Sequence, residues 1–142
     1  MTTELNQARE LLAAGGYTCV LRKEGRTYTS THRGVAPLLG WLEDGTDLTG
    51  FSAADKVVGR AAALLYRLLR VREVYAAVIS RGALEVLESG GISVCYDTLT
   101  DGIINRAGTG PCPMESATKD ISDPALAPEA IRRTLEKLRQ AH

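Results

Sequence analysis

Apolar residues recur at helical spacing from Ser52 to Arg70 (SAADKVVGRAAALLYRLLR). Val57, Val58, Ala61, Ala62, Leu65, Leu68 and Leu69 share one broad face, and Lys56, Arg60, Arg67 and Arg70 fall on the narrower opposite one. The spacing predicts a central helix that needs cover on most sides, lies flat on a sheet and opens its amino end at the sheet's margin. Ser52-Ala53-Ala54-Asp55 has the capping-box form directly ahead of the run, which would set Asp55 against the backbone donors of the helix start. Gly59 inside such a helix costs roughly 1 kcal/mol against alanine, so a close neighbour is expected there, a packed strand being the simplest.

The flanking pattern supplies the sheet. Leu5, Ala8, Leu11 and Leu12 mark a short amphipathic helix stopped at Gly15-Gly16. Tyr17 to Leu21 and Thr27 to Thr29 read as a hairpin around the Glu24-Gly25 turn. Gly34 to Leu42, with Pro37 near its first turn, reads as a short helix. Beyond Arg70, EVYAAVIS (Glu73 to Ser80) is a nearly continuous apolar run of strand length, the pattern of an interior strand covered on both faces. RGALEVLES then carries Ala83, Leu84 and Leu87 at helical spacing before Gly90-Gly91, and Ile92 to Tyr96 is again strand-like. Strand, helix, strand in so short a stretch implies parallel neighbours, and the hairpin implies antiparallel ones, so the sheet is mixed. Thr100 to Asp123 is a long Gly, Thr, Pro and Ser-rich segment of the kind that tends to be functional. Pro124 or Pro128 opens a last helix with Ile131, Leu135 and Leu138.

At 142 residues the chain suits one domain, 1–142, with one core. Seventeen basic and seventeen acidic residues leave no overall field to attract nucleic acid or an anionic membrane. No apolar run approaches the roughly 20 residues that span a bilayer, and MTTELNQARELL resembles no leader, so a cytoplasmic protein is expected. Cys19, Cys95 and Cys112 are odd in number and far apart, which suits free thiols in a reducing compartment. Cys19 and Cys95 fall inside strand runs and read as core filling.

Two stretches carry candidate chemistry. Lys56 at a helix start beside a cleft would bind an anionic group or, if desolvated, act as a base, with Asp55 orienting the ligand. In NRAGTGPCPMES, Asn105 to Ser116, Gly108 and Gly110 leave backbone amides accessible, and Cys112 stands where a new helix begins, a position that favours the thiolate. This gives Lys56, Cys112 and Glu115 as candidate catalytic residues and Asp55, Asn105, Arg106, Gly108 and Gly110 as candidate ligand contacts. The bland alternatives are a helix cap for Asp55, a solvated Lys56, and an ordered turn around a half-buried Cys112, which has only His32 and the terminal His142 as histidine bases in the chain. No Cys-x-x-Cys or His-x-x-x-His spacing exists, and no Walker loop or dinucleotide fingerprint, so neither a metal nor a cofactor is expected.

The element order, with the phrases DKVVGRAAALL and NRAGTGPCPME, resembles a prokaryotic family, Domain of Unknown Function 1893, over nearly the whole chain. The resemblance implies a divergent, zinc-less branch of the cytidine-deaminase-like fold, a three-layer α/β/α sandwich around a mixed sheet. In zinc deaminases of that fold a His-x-Glu and a Pro-Cys-x-x-Cys open two successive helices. The matching places here hold Asp55-Lys56-Val57 and Ser80-Arg81-Gly82-Ala83, without zinc ligands or an acid/base glutamate. The functional expectation is a protein that binds a small polar, nucleotide-like metabolite, or a zinc-independent enzyme of unknown reaction, with its pocket between the central helix start and residues 105–115. The alternative is a homo-oligomeric or partner-docking module with a vestigial pocket.

Overall fold

The chain opens on helix α1 (Thr3–Ala14), followed by the hairpin of β1 (Cys19–Lys23) and β2 (Arg26–Ser30) and by α2 (Ala36–Glu43). Then come β3 (Ser52–Val58), α3 (Arg60–Leu69), β4 (Glu73–Ser80), α4 (Arg81–Ser89) and β5 (Ser93–Thr100). A six-residue α5 (Pro113–Thr118), a 3-10 turn (Pro124–Leu126) and α6 (Ala127–Gln140) complete the computed structural model, which describes residues 2–32, 34–104, 108, 110 and 112–140. The hairpin turns at Glu24 and Gly25, both at positive φ (49° and 81°), as a type I′ turn requires to match the strand twist.

The five strands form one mixed sheet in the order β2-β1-β3-β4-β5. The pairs β2-β1 and β1-β3 are antiparallel, and β3-β4 and β4-β5 are parallel. Parallel crossovers are right-handed, so two that step in the same direction lay α3 and α4 on the same face. Next to them pack α2, α5 and α6, while α1 packs against β1, β3 and β4 from the other face. The result is a three-layer α/β/α sandwich with unequal outer layers.

The predicted central helix is two elements. Ser52–Val58 is a strand, and the helix starts only at Arg60, with Gly59 in extended geometry as its N-cap. A seven-residue strand followed by a ten-residue helix leaves apolar residues at positions that also satisfy a 3.6-residue period, which is why the run reads as one helix. Ala53 and Ala54 are both fully buried, on opposite faces, and their small side chains let helices approach the sheet from either side. The capping-box reading fails with the helix: Ser52 Oγ donates instead to buried Glu73 at the foot of β4. Thr2 both accepts from the Leu5 amide, capping α1, and donates to the same Glu73 carboxylate, which ties the start of α1 to the sheet.

The other elements follow their periodicity. β4 spans the apolar run Glu73 to Ser80, and α4 is capped by Ser80, whose Oγ accepts from Ala83 at 3.1 Å. β5 extends to Thr100, past the predicted Tyr96. One expectation for β4 is met only in part: Ala77 and Val78 are half-buried, so cover is incomplete in the middle of the strand, while its ends are buried.

Leu65 and Val57 share one stripe if the run is a helix, yet Leu65 is 0% exposed and Val57 48%. Leu65→Ala is expected to lower stability by about 2–5 kcal/mol and Val57→Thr by less than about 0.5 kcal/mol, measured by urea denaturation. Equal losses at the two positions would restore the single helix.

Candidate functional site

On a strand, neighbouring side chains point to opposite faces. Asp55 and Lys56 therefore separate, contrary to the expectation that both stand at one helix mouth. Asp55 turns toward α3, where its Oδ2 accepts from the Tyr66 hydroxyl at 2.7 Å and its Oδ1 from the Val57 amide at 3.3 Å. Cys19, its cross-strand partner on β1, lies with its Sγ 3.3 Å from the Tyr66 oxygen. Because the tyrosine proton is given to Asp55, the thiol is the donor in that contact, forming a chain from Cys19 through Tyr66 to Asp55. Lys56 is exposed on the α1 side, beside Tyr75 and Ala77.

The start of α3 is occupied by other residues. Glu115 of α5 reaches back so that its Oε1 accepts from the Arg60 amide at 2.5 Å, an acidic group on an otherwise unsatisfied donor at a helix N-terminus. Gly59 makes this possible: a Cβ there would stand 2.5 Å from Glu115 Oε1 and 3.2 Å from Ile103 Cγ1. The close neighbour expected at Gly59 is thus a carboxylate and the Ile103 side chain, not a packed strand. Arg60 fixes the arrangement from its side, Nε donating to the Thr118 carbonyl at 2.8 Å and Nη2 to that of Ile121 at 2.5 Å. Its guanidinium also lies over Gly82 in the first turn of α4, 3.8 Å from where a Cβ would be.

Cys112 enters the same neighbourhood. Its amide donates to the Ile103 carbonyl at 2.7 Å, and its half-buried side chain packs on the large core at the cap of α5. Gly108 takes positive φ (72°), and Gly110 is half-buried. Asn105 and Arg106 lie outside the described residues. Of the predicted set, Glu115 meets the start of the central helix with Cys112 three residues before it, Asp55 is packed beneath α3, and Lys56 faces away from both. Gly59 and Arg60 are site residues that the long-helix reading hides; a Gly-Arg pair followed by three alanines, Ala61 to Ala63, is the signal that marks the strand-to-helix junction. Among the described residues, no three of His, Cys, Asp or Glu converge as metal ligands would.

A family model described as Domain of unknown function (DUF1893) matches residues 7–135. The chain belongs to the DUF1893 family. A DUF1893 family protein from Thermotoga maritima, TM1506, has a crystal structure similar at TM-score 0.83 and 27% identity, covering 96% of this chain and 91% of its own. A diaminohydroxyphosphoribosylaminopyrimidine deaminase/5-amino-6-(5-phosphoribosylamino)uracil reductase from the same organism is similar at TM-score 0.43 and 17% identity, over 67% of this chain and 35% of its own. At that level nothing follows for this DUF1893 chain. No curated protein matches it.

The Asp55 cluster gives this DUF1893 protein a pH dependence. Burial pushes the Asp55 carboxyl up to about 6 from 3.8, against the opposing hydrogen bonds from Tyr66 and the Val57 amide. Burial, together with the nearby Asp55 charge, likewise raises the Cys19 thiol and the Tyr66 hydroxyl well above their ordinary values. Between the unfolded and folded Asp55 values the native state binds more protons, so stability is greatest at the acid end and falls as pH rises through the window from about 4 to 6. Asp55→Asn keeps an acceptor for Tyr66 and should remove this component. Urea denaturation at pH 4 and pH 7 should show the wild type losing about 2–3 kcal/mol more than the variant across that interval. Identical pH profiles would place Asp55 in water.

Proposed function

We propose that this DUF1893 protein binds a small polar metabolite, nucleotide-like in size, in the crevice where α3 and α4 begin, on a zinc-independent variant of the cytidine-deaminase-like fold. The observation that carries the reading is the hydrogen bond from the Arg60 amide to Glu115. It joins the central helix start to a segment more than fifty residues downstream, outside the carboxyl ends of parallel strands, where open α/β sheets bind ligands. The succession of hairpin, β3, α3, β4, α4 and β5, with Arg60 spanning from α3 to the start of α4, supports the finer fold assignment. The residues that open the two helices, Gly59-Arg60-Ala61 and Ser80-Arg81-Gly82, offer no imidazole, thiolate or carboxylate, which supports a chemistry without zinc.

In this reading Glu115, held by one oxygen, presents the other to a ligand donor, and Arg60 keeps α5 in place through the Thr118 and Ile121 carbonyls. Gly108 and Gly110 contribute backbone contacts from the connecting segment. Cys112 serves as the nucleophile if a reaction occurs. Lys56 has no part in this crevice.

A thermal-shift panel of nucleosides, nucleotides and sugar phosphates tests the assignment on the wild type and on Glu115→Gln, which retains the cap acceptor. A ligand at a hundredfold excess over its Kd should raise the wild-type Tm by about 5–10 °C and the variant by much less. No response across the panel, or an equal response in both proteins, sinks the reading. A self-associating module is favoured instead by one feature: β5 is an eight-residue edge strand without proline, lysine or arginine, with Tyr96 42% exposed. A Tm that rises with protein concentration and no ligand response would select it.

A further inference from the structure

Parallel strands in the interior of a sheet are ordinarily buried on both faces. β4 departs from this at Ala77, because α1 is the element packed on that side and its path crosses β1, β3 and the first half of β4. Beside α1 a groove of about 270 Å³ opens over the sheet. The strand register sets Lys56 of β3, Ala77 of β4 and Asp97 of β5 side by side across its floor, Ala77 leaving room between the two charged residues. Arg9 and Leu12 of α1 form one wall.

The charges in this groove are unequally satisfied. Asp97 accepts from the Tyr75 hydroxyl and lies 3.8 Å from Arg9, whose guanidinium also sits 4.8 Å above the Tyr75 ring. Lys56 forms no ion pair among the described residues. Two cations and one carboxylate leave one excess positive charge in the groove.

We propose that this groove binds a compact oxyanion, a carboxylate or a phosphate monoester on a small body. Its charge bridges Lys56 and Arg9, and its apolar part lies over Ala77 against Leu12. The volume falls just below the roughly 300–1,000 Å³ of typical ligand pockets, which suits a compact occupant. The site is separate from the crevice at α3, since Lys56 points away from it, and it stands or falls independently.

The test is a backbone-amide NMR titration of the full chain with sodium phosphate and, separately, sodium acetate, at ionic strength held constant with sodium chloride. Saturable shifts are expected at Ala13, Lys56 and Ala77. Lys56→Ala should weaken that binding about tenfold or more, the loss of one charge-assisted contact, while Lys119→Ala at the C-cap of α5 leaves it unchanged. Lys56→Gln, which retains the stem, serves as the second variant should the alanine form not fold. Saturation with phosphate alone selects the monoester, with acetate alone the carboxylate, and either result supports the site. Shifts that never saturate, or saturable shifts that both Lys56 variants leave unchanged, overturn it.

Discussion

The structure depends on β3 being bonded along both edges and, at Ser52 to Ala54, covered on both faces. Its backbone pairs antiparallel with β1 and parallel with β4, so it is where the hairpin half and the crossover half of the sheet meet. Small side chains answer the resulting crowding: Ala53 and Ala54 on the strand, and Ala61, Ala62 and Ala63 in the first turns of α3, are all nearly or fully buried. Larger residues there would hold α1 and α3 off the sheet, and overpacking of a dense core is destabilising.

The unequal layers follow from chain direction. Right-handed crossovers commit α3 and α4 to one face and bring their amino ends together at one end of the sheet. That end gathers Glu115, Arg60 and the bend at Ile103 and Cys112. The opposite face has α1 as its cover, which leaves a polar groove over the second half of the parallel strands. Both surfaces are consequences of topology, although the residues that furnish them are specific to the sequence.

Two carboxylates show how position changes the meaning of one functional group. Glu115 sits where backbone donors are unsatisfied and the helix dipole favours negative charge, a setting generally worth about 0.3–1 kcal/mol in its favour. Asp55 sits between layers, where desolvation outweighs its hydrogen bonds and favours the protonated acid. A half-buried acid tied through Tyr66 to Cys19 specifies how α3 seats on the sheet, since sliding the helix by one residue would break the chain.

The sequence by itself determined the element order outside the centre and the mixed sheet, because glycine stops, the hairpin turn and the apolar run of β4 are local signals; the three-layer architecture came from the family resemblance. It also placed Cys112 and Glu115 at a helix beginning, and Glu115 does meet the start of α3. Tertiary structure alone decided that Ser52–Val58 is a strand. Alanines and valines satisfy both periodicities, and only hydrogen bonds to β1 and β4, residues remote in sequence, select between them. From that choice follows the parting of Asp55 from Lys56, since a strand sends consecutive side chains to opposite faces where a helix start would have kept them on one rim.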